Sequence, residues 1–194
     1  MKALSNIFAV VGLLTLGYWI FEMVAPLRYQ SREASRFEQE RRNHDTAPAI
    51  KRRYPPTGSA VAILAIPRLG LSTVVLEGAE KSQLAFGLGH IRGTSLPGSG
   101  GNVAVAGHRD TFFRPLRFLR NNDLIKLTTH DHEYLYRVTS VAIVAPDDVT
   151  VLSPKGRETL TLVTCYPFKF VGAAPRRFIA TAFCVDCSVP AQTP

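Results

Sequence analysis

The chain has 194 residues, which is enough for one ordinary domain together with an anchor or a tail. Its composition, 46% hydrophobic and 20% charged, excludes the apolar-poor profile of an intrinsically disordered protein. The net charge of +8 names no partner by itself, and because no zinc-finger, RNA-recognition or helix-turn-helix pattern accompanies it, we expect no nucleic-acid binding. An odd total of 3 cysteines also excludes the disulfide framework of a small secreted domain.

The N-terminal segment is long and apolar enough to span a membrane. Residues 3–21 include no charged side chain, and after Glu22 the apolar run continues to Ala25, before Pro26. A helix of this length covers the hydrocarbon core of a bilayer, which is about 30 Å thick. A cleaved signal peptide is the alternative, but the run is long for one and ends without an A-x-A cleavage site. We therefore predict an uncleaved transmembrane anchor over residues 1–27.

The segment after the anchor is polar, and most of its charged residues are basic. The basic ones are Arg28, Arg32, Arg36, Arg41, Arg42, Lys51, Arg52 and Arg53. Residues 29–43 are polar on nearly every side and rich in helix formers, which predicts a solvated helical stalk. Residues 46–58 contain three prolines and predict a linker, since proline removes a backbone donor. We assign residues 28–58 to this stalk and linker.

From residue 60 onward, short β-rich runs alternate with Gly, Pro, Asn and Asp. Seven runs are predicted to be strands: 61–66, 71–76, 102–106, 124–128, 133–144, 159–164 and 178–183. Short helices are predicted only near residues 80–86 and 111–119, which disfavours a βαβ fold. This many strands in one domain favours a closed barrel or a sandwich.

Cys165 lies at the end of a predicted strand. Residues 159–164 are all leucine or the β-branched threonine and valine, which fit a strand, and Tyr166 and Pro167 end it. The thiol therefore lies at the rim of the scaffold, where functional residues are often found. The alternative is an unreactive core cysteine, because cysteine is among the most buried residue types.

His108 follows another predicted strand, residues 102–106, in a segment that leads into a turn. A thiolate is the reactive form of cysteine, and a neighbouring imidazolium stabilises it. The same histidine can return a proton to a leaving amine. His108 and Cys165 at one end of a barrel therefore predict nucleophilic catalysis by a thiol.

Three motifs together resemble those of the sortase family of cysteine transpeptidases. The segment TLVTC at residues 161–165 resembles the family's T-L-x-T-C signature, and GSGGNVAVAGHR at residues 98–109 resembles the segment around its catalytic histidine. The third is an arginine at the start of the next strand, with Arg176 and Arg177 as candidates. Neighbouring strand residues face opposite sides, so only one can face the site, and the R-[FY]-[IV]-x form selects Arg177. The Tyr-Pro-Phe that follows the cysteine is similar to class D.

The resemblance covers residues 60–183 and implies a mostly β fold. It implies a closed eight-stranded barrel with two or so short helices, preceded by the transmembrane helix. We assign the barrel to residues 59–187 and a tail to residues 188–194. The resemblance also implies that Cys165 is the nucleophile, that His108 is its partner, and that Arg177 donates hydrogen bonds to the developing oxyanion.

The implied reaction is cleavage of a sorting signal similar to L-P-x-T-G through a thioester on Cys165, followed by transfer to an amine. The implied partners are surface proteins with such a C-terminal signal, an amine acceptor such as a cell-wall precursor, and the lipid bilayer. The implied location is the plasma membrane, with a single-pass anchor and an extracytoplasmic catalytic domain. The positive-inside count of the basic residues after the anchor instead favours the cytoplasm.

Two other functions remain open on the sequence. The first is a cysteine hydrolase that uses the same Cys-His pair without a dedicated amine acceptor. The second is a non-enzymatic, membrane-tethered β-domain in which Cys165 and His108 are buried and unreactive. Accessibility of the thiol distinguishes the second of these from an enzyme.

The remaining metal-ligand types do not form a site by spacing. Two adjacent carboxylates are too few to supply the roughly six to eight oxygen ligands that calcium takes. These are Asp147 and Asp148. Cys184 and Cys187 form a C-x-x-C that suits a redox pair, a disulfide, or half of a zinc site completed by His130 and His132. We favour a structural role or none for the two cysteines, and we expect no metal and no cofactor.

Overall fold

The computed structural model describes residues 2–43 and 55–187. Its helices are α1 (Lys2–Asn43) and α2 (Lys81–Leu84), and its strands are β1 (Ala60–Ile66), β2 (Leu71–Glu77), β3 (Leu88–His90), β4 (Asn102–Ala106), β5 (Leu124–Thr128), β6 (Glu133–Val144), β7 (Thr159–Tyr166) and β8 (Arg176–Asp186). Short 3-10 helices occupy Pro67–Leu69, Arg114–Phe118 and Val149–Leu152. Most of the predicted linker and the whole predicted tail, residues 188–194, lie outside the described residues.

The strands close into a barrel in the order β1-β2-β3-β4-β7-β8-β6-β5. The β2/β3 and β4/β7 pairs are parallel, and the other pairs are antiparallel. The predicted closed eight-stranded barrel is therefore confirmed. Because the order is circular, β7 lies four strands from β1 in either direction, on the opposite wall of the barrel.

The barrel is filled by the inward-facing side chains of every second strand position. The largest of them are completely buried, and each contributes roughly 1.5–3 kcal/mol by leaving water. They include Leu64, Leu88, Ile125, Leu127, Tyr136, Leu160 and Leu162. This packing holds the strand ends in fixed positions relative to one another, which a site built on those ends requires.

Strand β3 was not predicted from the sequence. It has three residues, and its centre is Gly89, which lacks the β-branched side chain that marks a strand. The glycine is required by packing, because a Cβ at Gly89 would lie 2.8 Å from Cα of Ala79. The two predicted helices are both present but shorter, as α2 and the 3-10 helix Arg114–Phe118.

Helix α1 continues through the predicted end of the anchor without a break at Pro26. Its apolar half is exposed from residue 6 to residue 23, and its most apolar 18-residue window has a mean hydropathy of 2.0. Within the described residues it is one helix that is long and apolar enough to cross a membrane, by length and composition. Side chains 24–26 are half-buried, so the helix first becomes partly buried where the apolar run ends.

The polar half of α1 packs on the barrel along one face. Phe37 is 1% exposed and stacks on His130 with the ring centroids 3.9 Å apart. The side chain of Gln30 accepts a hydrogen bond of 2.8 Å from the backbone N–H of Val74 and donates one to the carbonyl of Phe86. The expectation of a stalk solvated all round is therefore wrong on this face. Tyr29 adds a ring contact with Phe86 at 5.0 Å, so a few side chains dock a helix whose pattern is otherwise polar.

Candidate active site

Cys165 and Arg177 lie directly opposite each other on the antiparallel strands β7 and β8. The register pairs Cys165 with Arg177 and Tyr166 with Arg176. Directly opposed residues of an antiparallel pair project from the same face of the sheet, and their neighbours project from the other. Arg177 therefore shares the face of the thiol, and Arg176 does not. Cys165 and Arg177 are half-buried, whereas Arg176 is exposed.

His108 follows β4, the strand that neighbours β7 and runs parallel to it. The parallel β4/β7 register pairs Ala106 with Val163, and the backbone N–H of Gly107 extends it with a 3.1 Å hydrogen bond to the carbonyl of Val163. Continued two residues beyond the Ala106–Val163 pair, the same register sets His108 level with Cys165. The histidine is exposed, so its ring is open to solvent at this rim. The strands β4, β7 and β8 are consecutive neighbours, so they bring all three candidate residues to one end of the barrel.

Thr164 fixes the backbone immediately before the histidine. Its hydroxyl donates a 2.7 Å hydrogen bond to the carbonyl of Gly107, and the side chain is 2% exposed. A Cβ at Gly107 would lie 2.6 Å from Leu88 and 2.7 Å from Phe113, so only glycine permits this close approach. The backbone N–H of Phe113 also donates to the carbonyl of His108 at 3.0 Å. The position of His108 is thus held on both sides along the chain.

The guanidinium of Arg177 is bound to the backbone that leads into β8. Its Nη1 donates to the carbonyls of Ala174 at 3.3 Å and of Arg176 at 3.1 Å. A guanidinium has five N–H donors in a planar arrangement, which suits it to bind a carbonyl oxygen that gains negative charge. The arrangement can therefore supply a sulfur nucleophile, a proton carrier and a hydrogen-bond donor at one rim.

The loop after the cysteine, residues 167–175, has an apolar and exposed tip; we call it the β7–β8 loop. Its base packs inward, with Phe168 against Phe178 at a centroid distance of 5.2 Å. At its tip, Phe170 is 44% exposed and Val171 is 98% exposed. Exposed apolar side chains in the loop that follows Cys165 suit contact with a substrate or a partner.

Arg109 is a residue of the site region to which the sequence assigned no role. It belongs to the G-H-R motif, yet its side chain is only 8% exposed and points into the protein. Its guanidinium donates to the carbonyls of Pro167 at 3.0 Å, Phe170 at 2.8 Å and Gly172 at 3.2 Å. In the sequence, only its place in the G-H-R motif pointed to a role for Arg109. Its contacts could not be predicted, because they lie about sixty residues further along the chain.

Cys184 and Cys187 form a disulfide. Disulfide-bonded sulfurs do not bind zinc as thiolates, which excludes a zinc site built on Cys184 and Cys187. Cys184 is paired with Tyr136 in the register, toward the end of β8 that neighbours the start of β7. Cys165 lies near the other end of β7, so the disulfide is remote from the candidate site.

The carboxylate of Asp148 has a local structural role. It accepts hydrogen bonds from the backbone N–H and the hydroxyl of Thr150, and it caps the 3-10 helix that begins at Val149. Across residues 2–43 and 55–187 there is no group of three or more histidine, cysteine or acidic side chains arranged to hold a metal.

The chain is similar over most of its length to proteins of one family. A family model for the sortase domain matches residues 64–185. Sortase D of Bacillus subtilis strain 168 is 36% identical over 126 residues, which are 64% of this chain and 64% of that protein. The match thus spans less than two thirds of this relative's length.

Solved structures agree in fold. A Clostridium perfringens sortase D5 transpeptidase is 26% identical with a TM-score of 0.66, over 82% of this chain and 97% of the other. Sortase E from Streptomyces avermitilis is 34% identical with a TM-score of 0.60, over 72% of this chain and 97% of the other. With a family model matching well over half of the residues and a shared barrel fold, the chain belongs to the sortase family.

Proposed function

We propose that the protein is a membrane-anchored cysteine transpeptidase that cleaves a sorting signal similar to L-P-x-T-G and transfers the acyl part to an amine. The observation on which this rests is the pairing of Cys165 with Arg177 across β7 and β8. His108 follows the adjoining strand β4, which ends at the same rim. Distant parts of the chain thereby supply a thiol, a guanidinium and an imidazole to one rim. Membership of a family of transpeptidases supports the same proposal.

The proposed first half-reaction forms a thioester. The sulfur of Cys165, as the thiolate, attacks the carbonyl carbon of the signal's threonine, and the carbonyl oxygen gains negative charge. Arg177 donates hydrogen bonds to that oxygen, where a fixed donor stabilises the transition state most. The C–N bond breaks as His108 gives its proton to the leaving amine nitrogen. The acyl group is then bound to sulfur and His108 is neutral.

The proposed second half-reaction returns the enzyme to its starting state. An acceptor amine attacks the thioester carbon, a new C–N bond forms and the C–S bond breaks. His108 takes the proton that the amine loses, and Cys165 leaves as a thiolate beside the imidazolium. Water in place of the amine gives hydrolysis instead. Proposed partners are surface proteins with a C-terminal sorting signal and an amine acceptor such as a cell-wall precursor.

We place the catalytic barrel outside the cytoplasm, with α1 as a single-pass anchor in the plasma membrane. The Cys184–Cys187 disulfide supports this side of the membrane, because disulfides persist in oxidising compartments and are rare in the cytosol. The basic residues that follow the anchor favour the opposite side, but they are only one determinant of topology. The proposed division is an anchor at residues 1–27, a stalk and linker at 28–58, the barrel at 59–187 and a tail at 188–194.

The decisive experiment is mass spectrometry of the acyl-enzyme. We expect the full chain in detergent to form a thioester with peptides of the L-P-x-T-G type, and Cys165→Ala to form none while keeping the wild-type circular dichroism spectrum. Cys184→Ala with Cys187→Ala is the matched control, since it also removes sulfur but not at the rim. Cleavage by Cys165→Ala at the wild-type rate would show that the nucleophile is another group.

An added amine separates a transpeptidase from a hydrolase. With triglycine present, a transpeptidase yields the peptide ligated to triglycine, at the expense of the free acid. A hydrolase yields the same acid with and without the amine. Failure of any peptide to acylate Cys165, together with a thiol that does not react with iodoacetamide in the folded protein, would support the non-enzymatic function instead.

A further inference from the structure

Arg109 connects the segment of the histidine to the loop that follows the cysteine. It is the residue after His108, and its guanidinium reaches three carbonyls of the β7–β8 loop, those of Pro167, Phe170 and Gly172. The guanidinium carbon also lies 5.8 Å from the centroid of the Phe170 ring. A side chain this buried, with three charge-assisted hydrogen bonds to one short loop, determines where that loop lies.

The loop depends on Arg109 more than His108 does. The backbone beside His108 is already held by Thr164, Val163 and Phe113. The β7–β8 loop joins two strands but crosses the rim outside the ladder, and at its far end Arg177 binds the carbonyl of Ala174. Loss of the Arg109 hydrogen bonds should therefore release the loop while leaving the Cys165–His108 geometry in place.

We propose that Arg109 is a positioning residue that holds the β7–β8 loop as one wall of the acyl-donor site, with Phe170 and Val171 presented to the peptide. The loop joins the strand of the proposed nucleophile to the strand of Arg177, and the two residues are paired near the ends from which it leaves. A peptide bound to both would therefore lie close to the loop. This role for Arg109 rests on the proposed transpeptidase function wherever it is tested by peptide turnover. It predicts a change in peptide binding and not in thiol reactivity.

The test compares Arg109→Lys with Arg114→Lys in the full chain in detergent. Lysine keeps the buried positive charge, but a single ammonium cannot reach all three carbonyls in the geometry of the guanidinium. Arg114 is an exposed arginine on the same connection between β4 and β5, which makes it the matched control. Circular dichroism and the melting temperature establish that each variant is folded.

Three assays are then run: peptide turnover, alkylation of Cys165 and trypsin cleavage. The KM for an L-P-x-T-G peptide should rise about tenfold in Arg109→Lys, as expected if the loop occupies its binding position about a tenth of the time. The kcat, and the pH profile of alkylation of Cys165 by iodoacetamide, should stay within about twofold of wild type. Trypsin cleavage after the exposed Lys169 should accelerate about tenfold. Arg114→Lys should match wild type in all three.

The outcomes separate this proposal from the proposed function. A folded Arg109→Lys with an unchanged KM and unchanged cleavage after Lys169 would overturn it. A parallel fall in the alkylation rate would also overturn it, because Arg109 would then act on the reactive pair itself. If wild type turns over no peptide, the transpeptidase function fails, and the trypsin comparison still decides whether Arg109 holds the loop.

Discussion

Replacement of Thr164 by valine should damage the site through the backbone of its neighbour. The hydroxyl of Thr164 donates a buried hydrogen bond of 2.7 Å to the carbonyl of Gly107, the residue before His108. Valine has nearly the same shape and is also β-branched, so the strand and the packing are retained. The substitution removes the hydroxyl donor and leaves the buried carbonyl of Gly107 without this hydrogen bond. The free energy of unfolding should fall by about 1–3 kcal/mol.

The control for this change is Thr161→Val on the same strand. Thr161 is also fully buried, and its hydroxyl donates a 2.8 Å hydrogen bond to the side-chain oxygen of Asn102, nearer the other end of β7. The two variants therefore lose one buried hydrogen bond each through the same substitution. They differ in whether that bond lies beside His108.

Thermal unfolding of the full chain should show similar losses for both variants. For a domain of this size we expect the melting temperature to fall by roughly 3–15 °C in each. Acylation by an L-P-x-T-G peptide, measured well below both melting temperatures, should fall about tenfold in Thr164→Val because His108 is displaced. It should stay within about twofold of wild type in Thr161→Val. Equal acylation rates in the two variants would refute the reasoning.

Two further predictions concern charged residues. Arg177→Lys should lower kcat for acylation by about 10²-fold, because the planar donors opposite Cys165 are lost. Arg176→Lys should leave kcat within about twofold, and the reverse ranking would show that the register does not select the functional arginine. At the barrel surface, the hydrogen bond from Arg68 holds the pKa of Asp123 below its usual value. Because its pKa is lower in the folded state, the ionised carboxylate stabilises the fold above about pH 4, the pKa of a free aspartate. This stabilisation is lost as the pH falls through the pKa that Asp123 has in the folded protein. Asp123→Asn should therefore cost about 1 kcal/mol at pH 7 in urea unfolding, and the difference from wild type should disappear toward pH 2. A constant difference across that range would contradict the assignment.

Most of the barrel could be predicted from the sequence because its strands have strong local signals. Alternating or continuous apolar runs, bounded by Gly, Pro, Asn and Asp, predicted the exact bounds of β4, β5 and β6. The three residues of β3 could not be predicted, since a strand that short has no measurable alternation. Its place in the sheet depends on the close contact of Gly89 with Ala79, which is a property of the folded state.

The same division applies to helix α1. Its apolar first half and its helix-forming second half are both evident in the sequence, and so is its length. Docking of the second half was not predictable, because Gln30 binds backbone groups of Val74 and Phe86, and any barrel edge offers such groups. Only the tertiary structure determines which backbone groups are left for that amide.

The sequence by itself determined the family, seven of the eight strands, and the placement of Cys165 and His108 near strand ends, because these depend on motifs and on residues adjacent along the chain. The tertiary structure decided which side chains share a face and which distant groups meet. Arg177 lies opposite Cys165 because of the β7/β8 register, and Arg109 reaches the β7–β8 loop across about sixty residues. Register and long-range contacts follow from how all strands pack around one core, and no local pattern contains that information.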